Sequence, residues 1–150
     1  MHVEPYAGAL GATVSDLDLT QPLSDAGLAD LRQALLDHEV LFFRDQDLSP
    51  EAHARLADYF GPPQHHEAYE HVEGYPQITI LENDAERPSK IEMWHADMTF
   101  RKHPPLGSIL HGVIIPAKGG DTMFASMSAA YEGLSDKMQN LLSGLTAIHD

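Results

Sequence analysis

His95 and Asp97, a histidine and a carboxylate two residues apart, are the side chains whose types and spacing could do chemistry. They lie in an apolar stretch that favours β structure. Alternate residues of a strand point to the same face, so the sequence predicts that the two side chains project together. One neutral nitrogen and one anionic oxygen are two of the three donors in the 2-His-1-carboxylate set, which holds Fe(II) and leaves positions open. Taken alone, the spacing is common, and a strand with a hydrogen-bonded His and a surface Asp also explains it.

The composition limits the kinds of partner. The chain has 150 residues, 43% of them hydrophobic and 21% charged, and a formal net charge of −14. These values predict a globular protein and argue against binding to nucleic acid or to an anionic membrane. A small anionic ligand remains compatible, because the field inside a site can oppose the net charge. The chain has no cysteine, no secretory signal pattern and no apolar run of membrane-spanning length, which predicts a cytoplasmic protein.

Apolar periodicity and turn residues predict short strands that alternate with helices, placed between polar loops. The predicted elements are a hairpin over 7–19, a helix over about 25–38 capped by Ser24 or Asp25, a strand at 40–43, a helix from Ser49-Pro50 to about Phe60, a loop over 62–75, a strand at 77–81, a loop over 82–90, strands at 106–115 and 121–125, a helix capped by Ser128, and a helix over about 135–143.

The residues around the His-x-Asp pair form an ordered set of motifs. Trp94–Phe100 is followed by Pro104-Pro105 and then by Gly119-Gly120-Asp121-Thr122. With these motifs the chain resembles the taurine dioxygenase (TauD/TfdA) family of Fe(II)- and 2-oxoglutarate-dependent oxygenases. The resemblance extends over nearly the whole chain, through 11–12, 18–23, 38–46, 60–61, 129–132, 141–145 and 149–150.

The resemblance implies a fold and an extent. The fold is α+β and mainly β, a double-stranded β-helix (jelly roll) with flanking helices. Residues 1–150 would form the N-terminal part of a single dioxygenase domain. No closing strand follows in the sequence, so we expect this domain to be truncated. A full-length protein of this family is expected to be a homo-oligomer that uses 2-oxoglutarate, dioxygen and a small-molecule substrate.

The resemblance also implies roles for individual residues. His95 and Asp97 match two iron ligands, and Thr122 matches a threonine that helps to hold 2-oxoglutarate. The three matches to the substrate site are His66, Tyr69 and Phe100. Without the resemblance, these would be an ordinary strand threonine, polar loop residues and a core aromatic.

Two departures from the family pattern are visible. Ile91 occupies the position of an asparagine that lies near the amine of taurine, so the sequence disfavours taurine itself and leaves other small sulfonates or carboxylates open. The second iron-binding histidine and the arginine that pairs with 2-oxoglutarate have no counterpart, and the later histidines His103, His111 and His149 do not match them. His149 as a substitute third ligand is the less favoured possibility. The alternatives are therefore a catalytically incompetent fragment, a metal-dependent hydrolase or isomerase, and a non-redox protein that binds a small anion.

Overall fold

The computed structural model describes residues 1–65, 69–84, 86–88 and 93–149 and divides the chain into two compact units. Unit 1 consists of Met1–Gln46 and Gly112–Ile148, and unit 2 of Asp47–His111 and His149–Asp150. Both strands and helices occur, in agreement with the expected α+β class. Helices hold more of the described residues than strands do, so the expectation of a mainly β chain is wrong for these residues. Within those ranges no helix is both long enough and apolar enough to cross a bilayer.

Unit 1 contains a three-stranded sheet. Strand β1 (His2–Pro5) pairs antiparallel with β2 (Ala12–Ser15), and β3 (Leu41–Phe43) pairs parallel with β2 on its other side. The hairpin predicted within 7–19 is therefore wrong in its strands, because residues 12–15 pair with residues 2–5 that precede the predicted range. Strand β3 confirms the prediction for 40–43, although its residues are half-buried rather than fully buried.

Residues 17–19 do not form the predicted hairpin strand, because a side chain occupies their backbone groups. The Gln46 Oε1 accepts a hydrogen bond from the Leu19 amide at 2.9 Å, and its Nε2 donates to the Leu17 carbonyl at 3.3 Å. Leu19 is thereby buried without pairing in a sheet.

Helix α1 (Asp25–His38) has the predicted bounds, and the Ser24 hydroxyl caps it by accepting from the Gly27 amide at 3.1 Å. The helix packs on β3 and buries Leu31 and Ala34. Leu36, one of the leucines that recur at helical spacing in this segment, is 75% exposed.

Unit 2 contains helix α2 (Pro50–Asp58), which packs on a two-stranded sheet. Its cap is Ser49 and its first residue is Pro50, as predicted. Strands β4 (His71–Val72) and β5 (Tyr75–Thr79) pair antiparallel. The predicted loop over 62–75 therefore ends in a strand, and the strand predicted at 77–81 begins two residues earlier.

Two further helices lie in unit 1. Helix α3 (Met127–Glu132) is capped by Ser126, so the prediction of Ser128 as the cap is wrong. Ser126 is buried, and its hydroxyl also donates to the Glu39 carboxylate at 2.9 Å. Helix α4 (Asp136–Leu142), capped by Ser135, confirms the last predicted helix.

The strands predicted at 106–115 and 121–125 are not formed. A strand exists through hydrogen bonds to a neighbouring strand, and none of the strands in the described ranges pairs with these residues. The apolar run Val113–Ile115 is consequently left in water, with exposed fractions of 82%, 89% and 73%.

Asp18 gives the fold of unit 1 a defined pH dependence. The Thr20 hydroxyl donates to its Oδ1 at 2.6 Å and the Thr20 amide at 2.9 Å, and these bonds lower the pKa of Asp18 below its ordinary 3.8. A carboxyl whose pKa is lower in the folded state adds stability above pH 3.8, and that stability is lost as the pH falls through the folded pKa.

We expect Thr20→Val to raise the pKa of Asp18 towards 3.8, as followed by NMR of the carboxyl carbon. If the titration midpoint of the Asp18 carboxyl is the same in Thr20→Val as in the wild type, the Thr20 hydroxyl is not what lowers its pKa. The Asp18→Asn variant identifies the carboxyl resonance of Asp18, because that resonance is missing from its spectrum.

Candidate functional site

The His-x-Asp pair lies on a turn. Residues 94–96 form no strand, and Asp97–Phe100 is a turn, so the prediction that a strand presents the pair is wrong. Met98 has a left-handed backbone with φ of 57°, and its carbonyl accepts from the Arg101 amide at 3.1 Å. A left-handed non-glycine residue reverses the chain sharply, and here that reversal follows directly after Asp97. Both side chains nevertheless meet, as the sequence predicted.

The geometry of the pair defines which atoms face each other. His95 Nδ1 lies 2.9 Å from the Met93 carbonyl oxygen, which can only accept, so Nδ1 carries the proton and donates. In the neutral ring Nε2 then keeps its lone pair, and it lies 3.2 Å from Asp97 Oδ1. The other carboxylate oxygen, Oδ2, accepts from the Ser108 hydroxyl at 3.4 Å. The two side chains are about half exposed, at 51% and 60%.

These atoms fit a divalent metal ion. Ligand atoms at about 2.1 Å from an ion, at a right angle to each other, lie about 3.0 Å apart, close to the separation of Nε2 and Oδ1. A backbone carbonyl that accepts from the second ring nitrogen is the usual partner of a metal-binding histidine, because it fixes the tautomer and the orientation of the ring. In the described part of the chain no third His, Cys, Asp or Glu joins the pair. His149 as the third ligand therefore receives no support.

The surroundings of His95 favour its protonated form when no metal is bound. The hydrogen bond to the Met93 carbonyl is the largest cause that raises the pKa of His95 above 6.5, and the charge of Asp97 adds to it against an opposing effect of burial. A metal must displace that proton, so acid opposes metal binding at this pair.

The other predicted residues divide between the units. Phe100 lies in the turn Asp97–Phe100, called the ligand turn below after its candidate metal ligand Asp97, and is 59% exposed. Tyr69 lies in unit 2, two residues before β4, and is 45% exposed. His66 and Ile91 lie outside the described residues. Thr122 belongs to unit 1, where it is exposed and follows Gly119 and Gly120, two glycines with φ of 76° and 72°.

Two side chains of unit 2 contact the segment that follows His95 and Asp97: Gln64, which the sequence did not single out, and His149, which it considered only as a third metal ligand. Gln64 Oε1 accepts from Arg101 Nη1 at 2.8 Å, and Gln64 Nε2 donates to the His103 carbonyl at 3.0 Å. His149 Nδ1 lies 2.8 Å from Thr99 Oγ1. These partners are 37 to 50 residues apart in the chain, so no local pattern could have indicated them.

Comparison with known proteins gives consistent matches along the chain. It is 34% identical over 150 residues to an alkylsulfatase of Acinetobacter baylyi, covering 99% of this chain and 47% of that protein. It is 35% identical to an alpha-ketoglutarate-dependent sulfate ester dioxygenase of Pseudomonas putida, covering 99% of this chain and 49% of that protein. The chain thus spans about half the length of these curated relatives.

A solved structure, a taurine dioxygenase from Burkholderia xenovorans, matches 95% of this chain and 51% of its own with 36% identity and a TM-score of 0.82. The sequence profile of the taurine catabolism dioxygenase TauD, TfdA family matches residues 2–150. A match over almost every residue, in one continuous block, confirms the resemblance seen in the sequence motifs. The chain belongs to the TauD/TfdA dioxygenase family.

Proposed function

We propose that the protein acts as an Fe(II)- and 2-oxoglutarate-dependent dioxygenase on a small anionic substrate. The observation that carries the proposal is the pairing of His95 Nε2 with Asp97 Oδ1 at 3.2 Å, with the ring oriented by the Met93 carbonyl. A family whose members are dioxygenases makes iron the natural occupant of a nitrogen and oxygen pair of this kind. The jelly-roll fold, residues 1–150 as the N-terminal part of one domain, a cytoplasmic location and a homo-oligomeric full-length state belong to the same proposal.

In this proposal, His95 and Asp97 hold the metal, which supplies the activation of dioxygen that no side chain can perform. The Thr122 hydroxyl donates to a carboxylate of 2-oxoglutarate, while His66 and Tyr69 donate to the anionic group of the substrate. Phe100 provides an apolar wall for the remainder of the substrate. The Met93 carbonyl keeps the proton on Nδ1 of His95, so that Nε2 stays available to the metal.

The substrate class we propose is an organic sulfate ester or sulfonate, with small carboxylates as the next class. The support comes from the names of the relatives, which include sulfate ester, sulfonate and aryloxyalkanoate dioxygenases. Ile91 in place of an asparagine leaves an ammonium group without a hydrogen-bond acceptor at that position, which disfavours taurine.

The expected reaction balances as follows. Dioxygen places one oxygen atom in succinate, formed from 2-oxoglutarate with loss of carbon dioxide, and the other on the substrate carbon next to the anionic group. A sulfate ester hydroxylated there collapses to an aldehyde and sulfate, and a sulfonate to an aldehyde and sulfite.

The test is succinate formation with Fe(II), 2-oxoglutarate and ascorbate, with a linear alkyl sulfate, a linear alkanesulfonate, taurine and an aryloxyacetate compared as substrates. We expect succinate together with sulfate or sulfite, and the weakest response to taurine. Absence of succinate with every substrate, in the chain and in any longer protein that contains it, would refute the proposal.

One observation favours a second candidate, a small-anion-binding protein without redox chemistry. The described residues provide two metal donors and no third, and a two-donor site binds metal weakly. In that case anion binding would persist in the presence of a chelator and no succinate would form.

A further inference from the structure

The side chain of Gln64 bridges two points of the segment that follows the ligand turn. Its Oε1 accepts from the Arg101 guanidinium at 2.8 Å, and its Nε2 donates to the His103 carbonyl at 3.0 Å. The orientation of the amide follows from its partners, because the reverse orientation would place two donors against each other and two acceptors against each other. Both ends of the amide are therefore used.

The segment that Gln64 holds is continuous with the candidate metal ligands. Arg101 follows the turn Asp97–Phe100, and its backbone amide donates to the carbonyl of Met98, the left-handed residue next to Asp97. Gln64 thus binds the side chain of Arg101, and the backbone amide of the same Arg101 closes the turn. A strained turn of this kind persists only when its surroundings hold it.

Gln64 itself lies in a loop, outside the segment that carries His95 and Asp97. It is five residues before Tyr69 and follows helix α2, on the loop that leads into β4. The ring of its neighbour His65 lies tilted against the ring of His71 in β4, with centroids 4.4 Å apart and 37° between the ring planes. Residues 64 and 65 therefore contact the ligand segment and the small sheet, respectively.

We propose that Gln64 is a positioning residue that links the ligand turn of His95 and Asp97 to the loop that carries Tyr69. Occupation of the metal pair would then restrain that loop, and the loop would in turn bias the ligand geometry, because such coupling is reciprocal. The roles of the His95–Asp97 pair in metal binding and of Tyr69 in substrate binding rest on the proposed function, but the coupling through Gln64 is testable with a metal ion alone.

The test is hydrogen–deuterium exchange of the chain with and without Co(II). Exchange is read separately in the ligand segment 98–103 and in the loop region, taken as residues 64–65, 69–70 and the adjoining strand β4. In the wild type we expect Co(II) to slow exchange in both regions, by about threefold or more, which is the size that two hydrogen bonds can transmit. In Gln64→Leu we expect slowing to persist in the ligand segment and to fall below about 1.5-fold in the loop.

Two further variants separate a link from a general loss of order. Gln64→Glu keeps an acceptor for Arg101 but has no donor for the His103 carbonyl, so we expect it to retain part of the transmission. His149→Ala removes a contact to Thr99 in the same turn without touching the loop, so we expect it to retain full transmission. Circular dichroism confirms the fold of each variant.

The outcomes are distinct. If Co(II) fails to protect the ligand segment of the wild type, the metal pair and the proposed function are refuted, and the link falls with them. If the segment is protected but the loop is not, or if Gln64→Leu transmits as the wild type does, the link alone is refuted. An equal loss of transmission in His149→Ala also refutes it, because Gln64 would then act only through local order.

Discussion

Replacing either His95 or Asp97 with alanine should reduce metal affinity by at least about 100-fold and bring succinate formation to background. Loss of an outer partner of a metal ligand already costs about 10- to 100-fold, and loss of the ligand itself removes one of only two donors found in the described residues. Trp94 provides the measurement, because it is the single tryptophan, adjoins His95 and is 67% exposed. Its fluorescence should be quenched as Co(II) is added to the wild type and should not change in either variant.

His103→Ala is the matched control for this prediction. It removes an exposed imidazole from the same segment while leaving the backbone carbonyl that Gln64 uses. We expect its titration to match that of the wild type. Equal quenching in His95→Ala and the wild type would show that the ion binds elsewhere and would remove the basis of the proposed function.

Leu31→Ala should lower the free energy of unfolding of unit 1 by about 2–5 kcal/mol. Leu31 is 2% exposed on helix α1, which packs on β3, so its truncation leaves a cavity as well as losing buried apolar area. A folded domain has only about 5–15 kcal/mol of stability in total, so this one change takes a large share of it. Urea unfolding followed by circular dichroism measures the effect as a lower midpoint at an unchanged slope.

Leu36→Ala tests whether the loss of stability in Leu31→Ala comes from the burial of Leu31 rather than from replacing a leucine in a helix. It makes the same chemical change in the same helix at a side chain that is 75% exposed, where we expect a change within about 0.5 kcal/mol. Similar losses at both positions would mean that α1 does not pack through the Leu31 face.

The elements that were predictable from sequence are those with local signals. Helix α1 was bounded correctly because a serine cap, an acidic first turn and leucines at helical spacing all agree within one segment. Ser126 was missed in favour of Ser128 because two serines near one helix start are equivalent in sequence. The distant partner Glu39, 87 residues away, decides between them.

The contact between His95 and Asp97 was predictable from their spacing, but the backbone that presents them was not. His95 and Asp97 meet as the spacing suggested, yet they do so on a turn at Met98, a residue that sequence rules rarely place in a left-handed conformation. Gln64 could not have been found, since its partners lie 37 and 39 residues away and a single glutamine carries no pattern. The strands predicted at 106–115 and 121–125 failed because β propensity describes a residue's fitness for a sheet, whereas forming a strand also needs a neighbour.

The uncovered run Val113–Ile115 affects how the protein behaves in solution as well as how it folds. Branched apolar side chains in water favour contact with other apolar surfaces, including those of a second molecule. The net charge of −14 opposes that contact by mutual repulsion at neutral pH. This protection weakens as the pH approaches the isoelectric point of about 4.9, where repulsion is lost and the apolar run remains. The acidity of the chain therefore acts as its colloidal stabiliser.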